Sequence, residues 1–341
     1  MNVNEMLLDR IKKLEMYGLY NYKLDDENIF DDKIYISEYI LDYDKVISNI
    51  IIDYINVINI VISKEYLGIL NKNIRNVKLN KQNIMVNDID IKHGSFHAGG
   101  YYCEKNEIIY YDKSLYEHFF KNSSKGAMKQ IITHELLHLS STKFKDNNVY
   151  SGLSYNIIGN GLNEGYTEYL TNSLFDCNYV LTNYEYEKNI AIIINNFLGN
   201  VNMNKIYFTA DNGGMITLLE EYSTYKNAME FLKKIDYISE NKKNKDINIH
   251  NNIISYHVNI INYILDIHTN KLIELLNDNK IIKDLAIDNI SSLALFLFNN
   301  SRYIHSLRES DIKLLSVEII SNMLGNYIDK INNIKHKVLS K

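Results

Sequence analysis

The sequence of 341 residues contains no proline and no tryptophan, and only two cysteines, Cys103 and Cys177. Two cysteines are too few for a disulfide framework in a chain of this length, which excludes a small disulfide-stapled fold. They can pair with each other, but free buried thiols are the simpler expectation. Proline ordinarily makes up about 5% of residues. Its absence, together with abundant Asn, Ile, Lys and Tyr, is typical of an AT-rich genome and says little about function.

Neither the charge nor the hydrophobic runs indicate a nucleic-acid or membrane partner. The net charge is −5, which gives no general affinity for nucleic acid or for an anionic membrane. The best membrane candidate, residues 46–62, contains Asp53, and a central aspartate costs about 2.5–3.5 kcal/mol in a membrane helix. We therefore predict a buried helix there. No basic segment followed by an apolar one opens the sequence, so we expect no signal peptide and a cytoplasmic location, with export by another route left open.

Hydrophobic periodicity predicts an α+β protein. Apolar residues follow the helical period over residues 46–70 and alternate with polar ones from 77 to 91, which indicates strands. We predict an N-terminal lobe, residues 1–142, with a small mixed sheet, and a helical lobe, residues 143–341, with a ligand site in the cleft between them. The other predicted elements are a strand at 108–111, a helix from about 124 to 141, a loop at 143–160, and helices beyond 161 that break near 200, 211–214 and 239–252.

The motif with the clearest chemistry is His134-Glu135-Leu136-Leu137-His138, inside one of the predicted helices. Residues four apart share a helix face, with Cβ atoms roughly 5–6 Å apart. Two imidazoles so placed can hold one zinc ion, and the glutamate beside the first lies at its edge. The alternative is a helix whose two histidines lie on its surface or in its core.

A pair of glutamates downstream can supply the third protein ligand that a zinc site with two histidines needs. A catalytic zinc site needs a third protein ligand and an open position. Glu164 and Glu168 are also four residues apart and face the same way on a helix. One of them can bind zinc while the other accepts the free ring N–H of a zinc-bound histidine. The alternative is a solvated helix face, but the nearby histidine motif favours the ligand interpretation.

Taken together, these residues resemble the gluzincin metallopeptidases, and specifically the thermolysin-type neutral proteases. The resemblance implies a zincin-like α+β fold, a bound Zn²⁺ and a peptide or protein substrate. It implies that His134, His138 and Glu164 are the zinc ligands. It also implies that Asn163, the partner in the family's Asn-Glu pair, and the acidic Glu168 support those ligands. The similarity covers roughly residues 98–171 of the chain.

Two further segments carry roles that the resemblance implies. The tyrosine of Gly152-Leu153-Ser154-Tyr155 lies nine residues before the ligand glutamate, where the family has a tyrosine that helps to bind the oxyanion. The segment around Gly100, Tyr101 and Tyr102 is similar to the family's edge strand, on which the substrate backbone can add as a further strand. We therefore assign Tyr155 to catalysis and Gly100, Tyr101 and Tyr102 to substrate binding.

The chain departs from the family beyond the ligand helix. The sequence Asp211-Asn212-Gly213-Gly214 is similar to the segment that leads to a catalytic histidine, but Ile216 occupies the place of that histidine. The simpler interpretation is a turn with Asp211 near a helix N-cap. A second oxyanion donor is therefore not assigned.

The expected function is zinc-dependent hydrolysis of peptide bonds, with Glu135 as the general base. One alternative is a catalytically silent regulatory protein that keeps the zinc site, although nothing would then require Glu135. Another is a module that binds a partner through its helical lobe. Activity of a Glu135→Gln variant distinguishes the first alternative from an enzyme, and binding by isolated residues 172–341 tests the second.

Overall fold

The structure is a computed structural model, and it combines helices with small sheets. Nine helices and five strands lie in the described part of the chain, in addition to a terminal helix at 332–339. The predicted strands between 84 and 91 lie outside the described residues. Described are residues 45–61, 78–82, 100–103, 108–112, 125–145, 148–175, 177, 184–244, 246–306, 329 and 332–340.

The first sheet is small and mixed, as predicted. Its strands are β1 (Lys78–Gln82), β2 (Gly100–Cys103) and β3 (Ile108–Asp112), in the order β1-β3-β2. Strand β1 runs parallel to β3, and β2 runs antiparallel to it, with Tyr101 opposite Tyr110. Among the described strands, β2 therefore pairs on one side only.

Helix α1 (Lys45–Val61) is a buried helix. This agrees with the prediction that the polar residues in its apolar run exclude a membrane helix. Its buried residues recur at the helical period, and it packs against helix α2 (Lys125–Ser140), which carries both histidines. The Tyr54 hydroxyl lies 3.2 Å from the Leu136 carbonyl oxygen and 2.6 Å from Ser140 Oγ, so α1 fixes the last turn of α2. Across the described residues, no helix is both long enough and apolar enough to cross a membrane.

The predicted loop at 143–160 is wrong over its first half. Strands β4 (Thr142–Lys145) and β5 (Asn148–Ser151) form an antiparallel hairpin there. Thr142 lies opposite Ser151, directly after the end of α2. Each strand has only four residues, so the alternation of side chains is too short to separate a strand from a polar loop.

The remaining elements are helices, as the periodicity predicts. The breaks after Leu198, around residues 210–213 and around 242–246 agree with the sequence, whereas the helix ends at Glu220 and Asn277 were not predicted. These helices are α3 (Asn160–Phe175), α4 (Glu185–Leu198), α5 (Asn200–Thr209), α6 (Gly214–Glu220), α7 (Tyr225–Asn241), α8 (Ile247–Asn277) and α9 (Lys283–Ser306).

The chain divides into two compact units. The first comprises residues up to Asn156 together with Asn163–Asn212, and the second comprises Ile157–Leu162 and Gly213–Lys341. In the second unit, α7 packs against α6 and α8, and α8 packs against α9. This division differs from the predicted boundary after residue 142, because most of α3 groups with α2 in the first unit.

Gly165→Ala should destabilise the protein, although alanine ordinarily favours a helix over glycine by about 1 kcal/mol. A Cβ atom at Gly165 would lie 2.2 Å from the carbonyl oxygen of Glu187 in α4, so the two backbones would have to separate. Overpacking of this kind costs typically about 1–3 kcal/mol. We expect a lower urea midpoint for Gly165→Ala. Asn196→Ala, at an exposed position of α4, is the control and should change stability by less than about 0.5 kcal/mol. A Gly165→Ala protein as stable as the wild type would contradict the close packing.

Candidate metal centre

Helix α2 places two imidazoles on one buried face. The Nε2 atoms of His134 and His138 lie 3.1 Å apart, and the two rings meet edge to face. The side chains retain only 9% and 11% exposure, so both rings are held inside the fold. Their i,i+4 spacing produces this arrangement directly, because residues four apart are neighbours on a helix.

Helix α3 brings the third donor to the same point. Glu164 Oε2 lies 3.2 Å from His134 Nε2 and 3.3 Å from His138 Nε2. Three donors bound tetrahedrally at about 2.0–2.1 Å from one ion are about 3.3 Å apart. The triangle of donor atoms therefore fits a metal ion, and His134, His138 and Glu164 form a group that can hold one. The Glu164 side chain keeps 28% exposure, which leaves an open side to the group.

Glu168 lies on the far side of His134 and supports it. Its Oε2 accepts a hydrogen bond from His134 Nδ1–H at 3.1 Å. Its Oε1 accepts hydrogen bonds from Gln130 Nε2 at 3.1 Å and from Asn172 Nδ2 at 2.8 Å. Both carboxylate oxygens are thus occupied, and the side chain is 2% exposed. Glu164, whose Oε2 faces both histidines, is the better ligand, and Glu168 fixes the orientation of the His134 ring.

The charges of the group are strongly coupled. Burial by itself lowers the pKa of His134, but hydrogen bonds to Glu164 and Glu168, joined by nearby carboxylate charges, raise it to about 10. Burial raises the pKa of Glu164, yet the charge of His138 and hydrogen bonds from both histidines hold it well below its usual range. Burial raises the pKa of Glu168, but the hydrogen bond and charge of His134, joined by the hydrogen bond from Asn172 and the charge of Lys188, together lower it below its usual value. Without metal, His134 is thus a protonated imidazolium that donates Nδ1–H to Glu168 and Nε2–H to Glu164.

Glu135, the predicted general base, is buried next to this group. It is 9% exposed and follows His134 directly on α2. The pKa of Tyr184 lies well above its usual value, first because of the Glu164 charge and burial and then because of the Glu135 charge. Glu135 also contributes to the raised pKa of His134, after burial and the hydrogen bonds described above. Its carboxylate therefore acts electrostatically on the metal-binding group.

Asn163 supports the group indirectly, by fixing a neighbouring loop. Its Oδ1 accepts the backbone N–H of Leu153 at 3.0 Å. Gly152 has φ +48°, and a Cβ atom there would lie 2.0 Å from Asn163 Oδ1, so only glycine allows this approach. The loop continues to Tyr155, which is half-buried. Within the described part of the chain, no hydrogen bond joins Tyr155 to the metal-binding residues, and its role as an oxyanion donor stays a prediction.

The predicted substrate strand is β2, which packs with β3 against α2. Gly100, Tyr101 and Tyr102 thus lie in a strand next to the histidine helix, and their role in binding stays a prediction.

The predicted turn is present, and Asp211 lies two residues before the N-cap of α6. Gly213 is the N-cap of α6, with no side-chain hydrogen bond, while the Asn212 side chain accepts from the N–H of Asn156. The glycine at φ +104° makes the turn into α6 without a polar cap. Ile216 is buried in α6 and supplies no polar group.

Sequence reasoning missed two side chains that contact Glu168 and one that contacts His134. Gln130 lies one turn before His134, and Asn172 lies one turn after Glu168, so the i,i+4 spacing could have identified both. Tyr184 had no such signal, since it is one of 28 tyrosines and lies 16 residues beyond Glu168 (184 − 168). Its ring stacks on His134, with centroids 5.8 Å apart and planes 9° apart.

Comparison with protein-family profiles, with curated proteins and with solved structures finds no match for this chain. The interpretation of the group therefore depends on its own chemistry.

The stability of the metal-free protein should fall as the pH rises from about 6.5 towards 10. The pKa of His134 is raised from 6.5 to about 10 on folding, so its contribution is complete below 6.5 and is lost as the pH passes through the folded value. Glu164 and Glu168 have lowered pKa values, so their contributions are lost only on acidification. Thermal unfolding of chelator-treated protein at pH 6 and pH 9 measures the effect. A His134→Asn variant should show a smaller difference, and equal differences in both proteins would contradict the coupling.

Proposed function

We propose that this protein is a zinc-dependent endopeptidase of the gluzincin type, with a zincin-like fold. The observation that carries the proposal is the convergence of His134 Nε2, His138 Nε2 and Glu164 Oε2, each 3.1–3.3 Å from the others. The motif spacing supports it. In zinc peptidases the metal donors are two histidines four residues apart and one carboxylate, and a glutamate between the histidines is the general base.

The donor set supports zinc over magnesium and calcium. Magnesium and calcium prefer all-oxygen sites, whereas two imidazoles and one carboxylate are a common set for catalytic zinc. Glu168 on His134 Nδ1 is the carboxylate–histidine contact that orients a ligand ring. The open side at Glu164, 28% exposed, leaves room for water and substrate, as catalytic zinc sites require.

Each residue of the site has its own role in the reaction. When bound, zinc lowers the pKa of a coordinated water from 15.7 to about 7 and polarises the substrate carbonyl. The Glu135 carboxylate accepts the proton of the attacking water and later transfers it to the nitrogen of the leaving amine. The Tyr155 hydroxyl donates to the oxyanion of the substrate. Glu168 keeps the imidazole of His134 oriented throughout.

The substrate is a peptide or a protein in an extended conformation. Strand β2 is paired with β3 on one side only among the described strands, so a peptide backbone can add to its other side. Main-chain hydrogen bonds of this kind give affinity with little dependence on side chains. Gly100, Tyr101 and Tyr102 are the residues of β2 that we assign to this contact.

Metal analysis of the purified protein, combined with chelation, tests the proposal. We expect about one zinc per chain, loss of peptide hydrolysis on chelation and recovery on addition of zinc. Zinc binding without hydrolysis of any peptide would favour the silent regulatory alternative. Hydrolysis that survives complete metal removal would end the proposal.

A further inference from the structure

Tyr184 contacts His134 and lies near Glu164. Its ring lies nearly parallel to the His134 imidazole, with centroids 5.8 Å and planes 9° apart. The negative charge of Glu164 is the first cause of the raised pKa of the Tyr184 hydroxyl, with burial second, so the hydroxyl lies close to that carboxylate. We propose that Tyr184 is a positioning residue that fixes His134 and Glu164 as metal ligands, an inference that rests on the proposed function.

The first turn of α4 holds Tyr184 in place. Tyr184 directly precedes this helix, and its carbonyl oxygen accepts the N–H of Lys188 at 2.8 Å. The next residue but one, Tyr186, is fully buried, which anchors the start of the helix. The tyrosine ring is therefore attached to a fixed element, next to α3, where Gly165 allows the backbone of α4 to approach.

The same turn also reaches the other carboxylate. Lys188 Nζ donates to Asn172 Oδ1 at 3.2 Å, and Asn172 Nδ2 donates to Glu168 Oε1 at 2.8 Å. Lys188 is itself held by Glu185, 2.5 Å away. The start of α4 thus reaches His134 through the ring of Tyr184 and Glu168 through Asn172, and the second of these links is independent of the first.

The ring and the hydroxyl of Tyr184 act differently. A carboxylate that binds metal must keep one oxygen directed at the ion, as Oε2 of Glu164 is directed at both histidines, and a hydroxyl close to that carboxylate can donate to it and restrict its rotation. The stacked ring restricts His134 from its face, while Glu168 restricts it at Nδ1. Loss of such supporting contacts typically weakens metal affinity or activity about 10–100-fold.

Two substitutions separate the contacts. Tyr184→Phe keeps the ring on His134 and removes the hydroxyl, whereas Tyr184→Leu removes both. Tyr169→Phe is the matched control, because it removes the hydroxyl of a half-buried tyrosine from α3, the helix that carries Glu164. Each protein is stripped of metal, its folding is checked by thermal unfolding, and its zinc affinity is measured by competition with a chelator. The visible absorption spectrum of the cobalt-loaded protein reports the arrangement of the ligands.

We expect zinc affinity to fall about 10–100-fold in Tyr184→Phe and further in Tyr184→Leu, with a changed cobalt spectrum in both. Tyr169→Phe should match the wild type in both readouts. Wild-type affinity and spectrum in a folded Tyr184→Phe protein would overturn this inference and leave the proposed function intact. A wild-type protein that binds no zinc would overturn the proposed function, and this inference with it.

Discussion

Glu135→Gln should abolish most peptide hydrolysis while zinc stays bound. The substitution keeps the size of the side chain and spares the donor atoms of His134, His138 and Glu164. It removes the carboxylate that, in the proposed mechanism, accepts the proton of the attacking water. General acid–base catalysis contributes typically about 10²–10⁴-fold, so kcat should fall by at least about 10². Steady-state kinetics on a cleaved peptide, with zinc content measured on the same sample, tests this expectation.

Glu230→Gln is the control for the loss of a carboxylate, because Glu230 pairs with Lys233 on the exposed surface of α7. That variant should keep wild-type kcat and zinc content. A zinc-loaded Glu135→Gln protein with wild-type kcat would contradict the assigned mechanism. Loss of zinc from Glu135→Gln would contradict the assignment of Glu135 as a residue that does not bind the metal.

The second large effect is on zinc affinity, and it should differ between substitutions of Glu164 and Glu168. Both lie on one face of α3, and the same change, Glu→Gln, can be made at each. Glu168→Gln should weaken zinc binding about 10–100-fold, because it alters the partner of His134 Nδ1 and leaves the three donors. Glu164→Gln should weaken binding by more than this, because Oε2 of Glu164 is one of the donors.

Zinc affinities of the two variants, measured by chelator competition at one pH, test the assignment as a matched pair. The reverse order would make Glu168 the ligand. Its enclosure by Gln130 and Asn172 argues against that outcome, since both would have to release it. Equal and small losses would contradict a metal site that includes either carboxylate.

Local spacing made most of the candidate metal centre predictable. His134 and His138 share a face because of the helical repeat alone, and so do Glu164 and Glu168. The sequence also predicted a buried helix over residues 46–62, observed at 45–61, and helical structure beyond residue 161, where the longer helices show their period. The predictions succeed where the determining contacts lie within one element.

The missed features depend on contacts between distant segments. The hairpin at 142–151 has strands of four residues, too short to show alternation. Tyr184 reaches His134 only because α4 packs against α3 at Gly165, which no local pattern indicates. Asn163 binds the backbone of Leu153 through the left-handed turn at Gly152, where only the folded chain shows the partner.

The proposed peptidase activity is tested most directly by incubating an unbiased peptide library with protein that carries one zinc per chain. We expect internal cleavage of peptides by the wild type and none above background by zinc-loaded Glu135→Gln. Chelation of the wild type should remove the cleavage, and zinc should restore it. An intact library after incubation with the fully zinc-loaded wild type, or equal cleavage by the Glu135→Gln protein, would contradict the proposed activity.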